Sequence, residues 1–371
     1  MNKISSVLVK GSFSYNLGDD LFVIVLATRY PNVKFEVIAP KDYTAFSAIP
    51  NIMVVGLPIS QFKKRFCGLI GKLSSRWYAF FLTFFSKFFF RRHIARVDAF
   101  VIIGGSMFKQ ANKSSVTYYY NSKIIDMAAG KPSFVLGANF GPYQTSTYLD
   151  NYREYFSRFT DVCFRDQFSY NLFSDLNNTR YHKDILFQYQ MPASEKTKDK
   201  VGFVVVDFEQ HLGLKKYKRQ YEEFITKAAS YYINNENSFT LIAFQKNELT
   251  YLNSLKSKIE SEIKHEIHLL AYNGDQQTFL QCYQSFDTIF ATRFHSMILS
   301  FMAGQKNCPI IYNKKLQNFI DDINYTGLYV DLNNLNVTDD FFVKLQNREV
   351  AKYDFSSDAE KHFEILDSMI V

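Results

Sequence analysis

Two short segments nearly three hundred residues apart carry the side chains best suited to chemistry. Asn16-Leu-Gly-Asp-Asp20 follows an apolar run at 7–9 and precedes another at 21–26. A glycine-bearing turn between a strand and a helix presents backbone N–H groups at a helix N-terminus, where an anion or polar ligand can be held. Thr292-Arg-Phe-His295 sets a guanidinium and an imidazole two residues apart, directly after the apolar run 288–291. Arginine forks match carboxylates and phosphates, and His295 can give or take a proton near neutral pH. Segments so far apart share one active site only if two domains face each other across a cleft, and that arrangement is the one expected.

The elements that would position them alternate in the manner of α/β proteins. Short, β-branched-rich runs at 6–10, 34–39, 52–55, 99–103, 132–139 and 161–164 predict buried strands of a parallel sheet with helices between them. A polar stretch at 188–200 is the natural linker. A second series follows, with strands expected at 201–207, 239–244, 267–271, 288–291 and 308–312 and helices at 220–234 and 249–263. The tail 354–371 reads as helical. The predicted fold is α/β, two Rossmann-like domains facing a cleft: an N-terminal domain at 1–188, a C-terminal domain at 201–345 and a C-terminal helical tail at 346–371. Ligands of such sheets sit at the carboxyl ends of strands, and the notable motifs fall there.

The bulk numbers fit. A chain of 371 residues predicts two domains of ordinary size. With 47% apolar and 21% charged residues it is not a largely disordered chain. The 38 Phe must be mostly core, so no single Phe is functional on count alone. None of the four cysteines lies in a CxxC pair, which argues against a zinc ribbon or redox motif and suits a reducing compartment. No signal peptide is recognised at the start, and the most apolar stretch, 77–90, is too short to span a bilayer. A cytoplasmic protein is expected.

The net charge of +7 is unevenly spread: residues 43–97 contain nine Lys or Arg and no Asp or Glu. Within this basic aromatic segment, 61–96, cations bracket the helix-like run 77–90. It can lie in an anionic membrane surface, which would place the protein peripherally at the inner face of the cell membrane. It can equally be a helix packed on the first sheet with its basic ends in water. Nucleic-acid recognition motifs are missing.

Five segments recur in order: Asn16-Leu-Gly-Asp-Asp20, Ile103-Gly-Gly-Ser-Met-Phe108, Gly137-Ala-Asn-Phe-Gly-Pro142, Phe164-Arg-Asp-Gln-Phe-Ser169 and Thr292-Arg-Phe-His295. Their order and spacing resemble the polysaccharide pyruvyl transferase family, over about residues 7–325. The resemblance implies a fold like the glycosyltransferase B type. It also implies transfer of a pyruvyl group from phosphoenolpyruvate onto two hydroxyls of a sugar, giving a cyclic ketal, without nucleotide or metal cofactor. The sugar would belong to a surface polysaccharide, such as an exopolysaccharide or capsule, or to its lipid-linked precursor. One departure stands out: the family loop is commonly Gly-Gly-Gly, and here Ser106 holds the third position, where its hydroxymethyl would crowd a ligand or donate a hydrogen bond.

The residue types suit that chemistry. Phosphoenolpyruvate carries a carboxylate and a phosphate, and Arg165 and Arg293 are the fixed cations to bind them, with Phe294, Lys314, Gly104, Gly105 and Ser106 completing the donor side. His295, Asp19 and Asp166 are the candidate acid–base groups. Asn16, Gly18, Asp20, Asn139 and Gly141 are the acceptor-side candidates, the glycines letting a ligand approach the backbone. Acceptor specificity would lie in loops 109–120 and 144–152.

Structural readings stand beside each of these. His295 can be a hydrogen-bonded core histidine, Arg293 can pair with Asp287 or another carboxylate, Arg165 and Asp166 can form a salt bridge, and Asp19 can cap a helix. Lys314 and Lys315 can be a solvated loop. Two other functions stay open on the same scaffold. One is a glycosyltransferase with a nucleotide-sugar donor, for which Glu209 or Asp275 would be the acidic ribose contact. The other is a catalytically silent glycan binder.

Overall fold

The computed structural model describes residues 3–71, 74–110, 117–210, 213–350 and 353–370. Lys72 of the basic segment and residues 111–116 of the expected acceptor loop lie outside the described residues.

The chain divides into two units: Met1–Phe13, Phe22–Ile185 and Ser356–Val371 form the first, Ser14–Leu21 and Leu186–Phe355 the second. Helix α1 (Leu17–Arg29) therefore has its first turn assigned to the second unit and the rest to the first. The C-terminal helical turns, Ser356–Glu360 and Glu364–Asp367, belong to the first unit.

The first unit holds a seven-stranded parallel sheet. Its strands are β1 (Ser6–Lys10), β2 (Lys34–Val37), β3 (Ile52–Val54), β4 (Ala99–Ile103), β5 (Ser133–Ala138), β6 (Asp161–Phe164) and β7 (Thr179–Tyr181), in the order β3-β2-β1-β4-β5-β6-β7. Every residue of β4, β5 and β6 is buried. Strands covered on both faces need unbroken apolar runs, which is why these three read so clearly as strands. Helices α2 (Gln61–Gly71), α3 (Ser75–Arg96), α4 (Thr117–Met127), α5 (Ser146–Phe156) and α6 (Gln167–Asn171) complete the unit.

The second unit repeats the plan with six strands, β8 (Lys200–Val204), β9 (Ser238–Ala243), β10 (His268–Ala271), β11 (Thr288–Ala291), β12 (Lys306–Ile311) and β13 (Val330–Asp331), ordered β10-β9-β8-β11-β12-β13, all parallel. Helix α7 (Lys218–Asn234) buries Tyr221, Phe224, Ile225, Ala228 and Tyr232, a helical repeat of one face. Helix α8 (Leu249–Ile263) does so with Leu252, Leu255 and Ile259. Helices α9 (Gln276–Gln284), α10 (Phe294–Met302), α11 (Lys314–Asp322) and α12 (Asp339–Gln346) follow.

In both sheets the strand order reverses at one point, between β1 and β4 in the first unit and between β8 and β11 in the second. Loops at the carboxyl ends of these strands line the crevice that open α/β sheets use for ligands. The Gly104–Ser106 loop follows β4, and Arg293 and His295 follow β11.

Candidate functional site

In the second unit, the Asn16–Asp20 and Thr292–His295 segments meet. Residues 14–21 pair with the end of β9: Asn16 and Gln245 form an antiparallel bridge, Leu17 N–H donates to Phe244 O at 3.0 Å, and Lys246 N–H donates to Tyr15 O at 3.1 Å. This pairing sets Gly18 against His295. A Cβ on Gly18 would overlap the imidazole around Nδ1, so glycine is required here by close approach. His295 lies in the first turn of α10, is 9% exposed, and has its ring centroid 5.5 Å from that of Phe294.

Arg293 is the N-cap residue of α10, in extended conformation (φ −100°, ψ 141°). Its guanidinium forms an ion pair with Glu248 and donates to Gln245 Oε1 at 3.1 Å. The carboxylate alternative for Arg293 is thus realised by Glu248. Asp287 instead pairs with Lys306 at 3.0 Å. Burial pushes the Glu248 carboxyl above its ordinary range, and Arg293 only partly offsets this. Burial works against the Arg293 cation, yet the Glu248 carboxylate holds it firmly charged. Behind them, Tyr221 and Thr292 hydroxyls bond at 2.9 Å.

The four candidate acids of this unit differ. Asp20 is fully buried and accepts from Tyr272 Oη at 2.7 Å, which makes it a clamp between the 14–21 segment and the end of β10. Asp19 is partly exposed in the first turn of α1, where an acid suits the helix dipole, and accepts from Asn16 Nδ2 at 2.8 Å. Asp275 is the N-cap of α9, accepting from Thr278 N–H at 3.0 Å, and Glu209 pairs with Lys218 at 3.1 Å. Phe294 is buried beside Phe319, with Lys315 Nζ 4.2 Å from its ring centroid. Lys314 is exposed at the start of α11, one residue after the N-cap Asn313.

In the first unit, Arg165 sits at the end of β6 and is buried. It donates to Asp184 Oδ2 and to Asn139 Oδ1, each at 2.8 Å. Any side chain on Gly105 would strike its guanidinium. Arg165 therefore props the Gly104–Ser106 loop from beneath. Asn139 N–H donates to Gly105 O at 2.9 Å, and the exposed Ser106 donates to Asn139 Oδ1 at 3.1 Å. The hydroxyl at the third loop position thus donates a hydrogen bond. Gly104 (φ 127°) and Gly141 (φ 93°) hold backbone conformations that side chains disfavour, and Gly141 N–H donates to Phe108 O at 2.8 Å.

Arg165 turns inward and forms a buried ion pair with Asp184 at 2.8 Å. Asp166 caps α6: Oδ1 accepts from Ser169 N–H at 2.8 Å and Oδ2 from Ser169 Oγ at 2.9 Å. Ser169 Oγ in turn accepts from Phe140 N–H at 2.7 Å, which ties the loop after β5 to α6.

Sequence reasoning missed Gln245, Glu248, Tyr272 and Asp184, all partners rather than motif residues. It also missed Lys10 at the carboxyl end of β1, beside the switch point, 3.4 Å from Asn121 Oδ1. Burial lowers its amine to about 8. A lysine closing the otherwise apolar Val-Leu-Val run was the available signal. Among the described residues, no group of His, Cys, Asp and Glu is arranged to hold a metal ion. The four cysteines are free, and no described helix is long and apolar enough to cross a membrane.

Solved structures share the fold at very low identity. UDP-GlcNAc 2-epimerase from Neisseria meningitidis, bound to UDP-GlcNAc, matches with a TM-score of 0.63 and 10% identity, over 98% of this chain and 99% of that one. The Methanocaldococcus jannaschii UDP-GlcNAc 2-epimerase gives 0.59 and 11%, with 98% and 99% covered. Anabaena HepE, in complex with UDP and glucose, gives 0.54 and 12%, with 99% and 95% covered. These establish two parallel-sheet α/β domains of a glycosyltransferase B-like fold. No curated protein matches the chain. The polysaccharide pyruvyl transferase model matches residues 16–314, from the Asn16 turn through Arg293 and His295 to Lys314. A match over most of the chain shows a transferase, and the chain belongs to the polysaccharide pyruvyl transferase family.

Proposed function

We propose that this protein transfers the pyruvyl group of phosphoenolpyruvate to two hydroxyls of one sugar in a surface polysaccharide or its lipid-linked precursor. Family membership supports polysaccharide pyruvylation. The observation that carries the finer reading is the seating of the His295 imidazole on Gly18 with Arg293 two residues away at the sheet's switch point.

In the reaction, C3 of the enolpyruvyl group takes up a proton and becomes a methyl. Two sugar oxygens add to C2, the bond from C2 to the phosphate oxygen breaks, and inorganic phosphate leaves. One hydroxyl proton is balanced in the new methyl and the other on phosphate. The donor carries its own leaving group, so no nucleotide is consumed. His295 suits the proton delivery or the hydroxyl activation. Arg293, kept charged by Glu248, suits the donor's carboxylate or phosphate, and the exposed Lys314 adds charge to that side. Asp19, the most accessible acid of the Asn16–Asp20 turn, suits a sugar hydroxyl. In the first unit, the Gly104–Ser106 loop offers backbone groups and the Ser106 hydroxyl, and Arg165 acts as its positioning residue. Asp166, engaged with Ser169 through both oxygens, takes a capping role.

The test is product release by the purified protein. Phosphate released from phosphoenolpyruvate in the presence of a sugar diol, abolished in His295→Ala, supports the reading. Release of a nucleoside diphosphate from a nucleotide sugar, with no phosphate from phosphoenolpyruvate, overturns it in favour of glycosyl transfer.

A further inference from the structure

Helix α3 has two faces that the rest of the first unit treats differently. Ala79, Ser86, Phe90 and Ile94 form a buried seam. The helix is anchored at its far end by His93, whose Nδ1 is hydrogen-bonded with Glu36 of β2. Opposite, Trp77, Phe80, Phe84 and Phe88 are exposed at 56%, 48%, 63% and 75%. Their spacing of three, four and four stacks them in one stripe, with the Phe80 and Phe84 rings nearly parallel at 6.4 Å. The stripe runs along roughly 17 Å of helix. Helix α2, packed beside it through Phe66 against Phe81 and Phe85, adds exposed Phe66 and Leu69. A contiguous exposed apolar surface of this kind marks a docking site.

Its border says what docks. Exposed Lys87 and Arg91 flank the stripe on one side and exposed Arg92 and Arg96 on the other, with exposed Lys63, Lys64 and Arg65 on α2. No acid occurs in either helix. Between α3 and α4 lies an open groove of about 670 Å³, apolar along Phe80, Phe84 and Ile94 and cationic at Lys87, Arg91 and Lys131. Its carboxylate, Asp126, is paired with Lys123 at 3.2 Å and Arg158 at 2.7 Å. A second copy meeting this face across a two-fold axis would set cation against cation. A bilayer with anionic headgroups satisfies both parts, taking the aromatic rings at the acyl boundary and the cations at phosphate level.

We infer that α2 and α3 form an anionic-membrane docking face, with Trp77, Phe80, Phe84 and Phe88 entering the interface and the groove beside α4 receiving a lipid phosphate. The inference stands apart from the pyruvyl-transfer reading, because its readout is partition onto vesicles.

Flotation with phosphatidylcholine vesicles and with equimolar phosphatidylcholine–phosphatidylglycerol vesicles tests it, using the full chain, Phe84→Ser/Phe88→Ser and Lys87→Gln/Arg91→Gln. All four positions are exposed, and equal melting temperatures would show that the variants fold. Wild type should bind only the anionic vesicles, and added salt should weaken binding. The aromatic variant should lose about ten-fold or more in partition, and the charge variant about five-fold per cation removed. Failure of wild type to bind, equal binding to neutral vesicles, or unchanged binding by both variants would overturn the inference. So would a dimer abolished by Phe84→Ser/Phe88→Ser with vesicle binding intact, which would assign the face to a second copy.

Discussion

The imidazole of His295 occupies the space that a side chain on Gly18 would fill. Two residues 277 positions apart are thereby made conditional on each other, and the glycine of the Asn16–Asp20 turn acquires a role beyond its backbone freedom. Gly18 lies in the first turn of α1, where exchange for alanine would ordinarily stabilise by about 0.5–1 kcal/mol. Gly18→Ala is expected to do the opposite and to swing the imidazole aside. A misplacement of this size costs about 100-fold in turnover, read as phosphate release from phosphoenolpyruvate. In a His295→Ala background the same substitution should be neutral or stabilising. A Gly18→Ala penalty that persists there would show that the imidazole is not what the alanine strikes.

Arg293→Ala is the obvious probe of the proposed donor site, and it should confound binding with folding. Glu248 is 1% exposed, and removing its partner leaves a buried carboxylate at a cost of about 3–5 kcal/mol. Thermal melts should show that loss at pH 7 and a large recovery in Arg293→Ala/Glu248→Ala. The sign with pH follows. An unpaired Glu248 has a folded-state pKa well above its unfolded one, so stability is retained at low pH and lost as pH rises through the folded value. Arg293→Ala should therefore gain stability relative to wild type on acidification from pH 7 toward 5. A pH-independent deficit would contradict the Glu248 assignment.

The strands and helices that could be read from the chain were those whose burial is uniform. Strands β1, β4, β6 and β11 have nearly unbroken apolar runs, and α8 shows its Leu252, Leu255 and Ile259 face directly. Edge strands β7 and β13 were not legible, because three and two residues set no period. The five motifs were legible as types in order, and the family follows from them. Their partners were not. Glu248 lies 45 residues from Arg293, and Asp184 lies 19 from Arg165. Backbone pairing with Phe244, Gln245 and Lys246 and the Asp20–Tyr272 hydrogen bond, invisible in local pattern, tie residues 14–21 to the second unit.

Arg165 is a motif arginine with buried hydrogen-bond partners in its own unit. Its two terminal nitrogens serve Asp184 and Asn139 separately, a geometry a lysine ammonium cannot reproduce. Arg165→Lys should lose one of these two buried hydrogen bonds, at about 0.5–3 kcal/mol, and loosen the Gly104–Ser106 loop. As a positioning effect it should raise the KM of one substrate more than it lowers kcat. A collapse of kcat with unchanged KM values would instead make Arg165 a group that touches the reacting atoms.

The last expectation concerns acid. His362 is fully buried; its Nε2–H donates to Lys183 O at 2.8 Å and more weakly to His182 O at 3.2 Å, while Nδ1 has no hydrogen-bond partner. Burial, and then the neighbouring Arg180 and His182, lower its pKa from 6.5 to about 3. In the unfolded chain this histidine takes up a proton near pH 6.5, and in the folded chain it does not. The unfolded state thus binds more protons between those values, and stability falls as pH drops through that window. The shift corresponds to a loss on the order of a few kcal/mol at pH 3. His362 packs under Arg180, whose guanidinium donates to His362 O at 2.7 Å and pairs with Asp161 at 2.7 Å, so the destabilisation should centre on the first unit. His362→Gln keeps a donor for Lys183 O and removes the titration. Its denaturation midpoint should depend less on pH between 6.5 and 4 than that of wild type, and parallel acid limbs for the two proteins would mean that other groups govern acid unfolding.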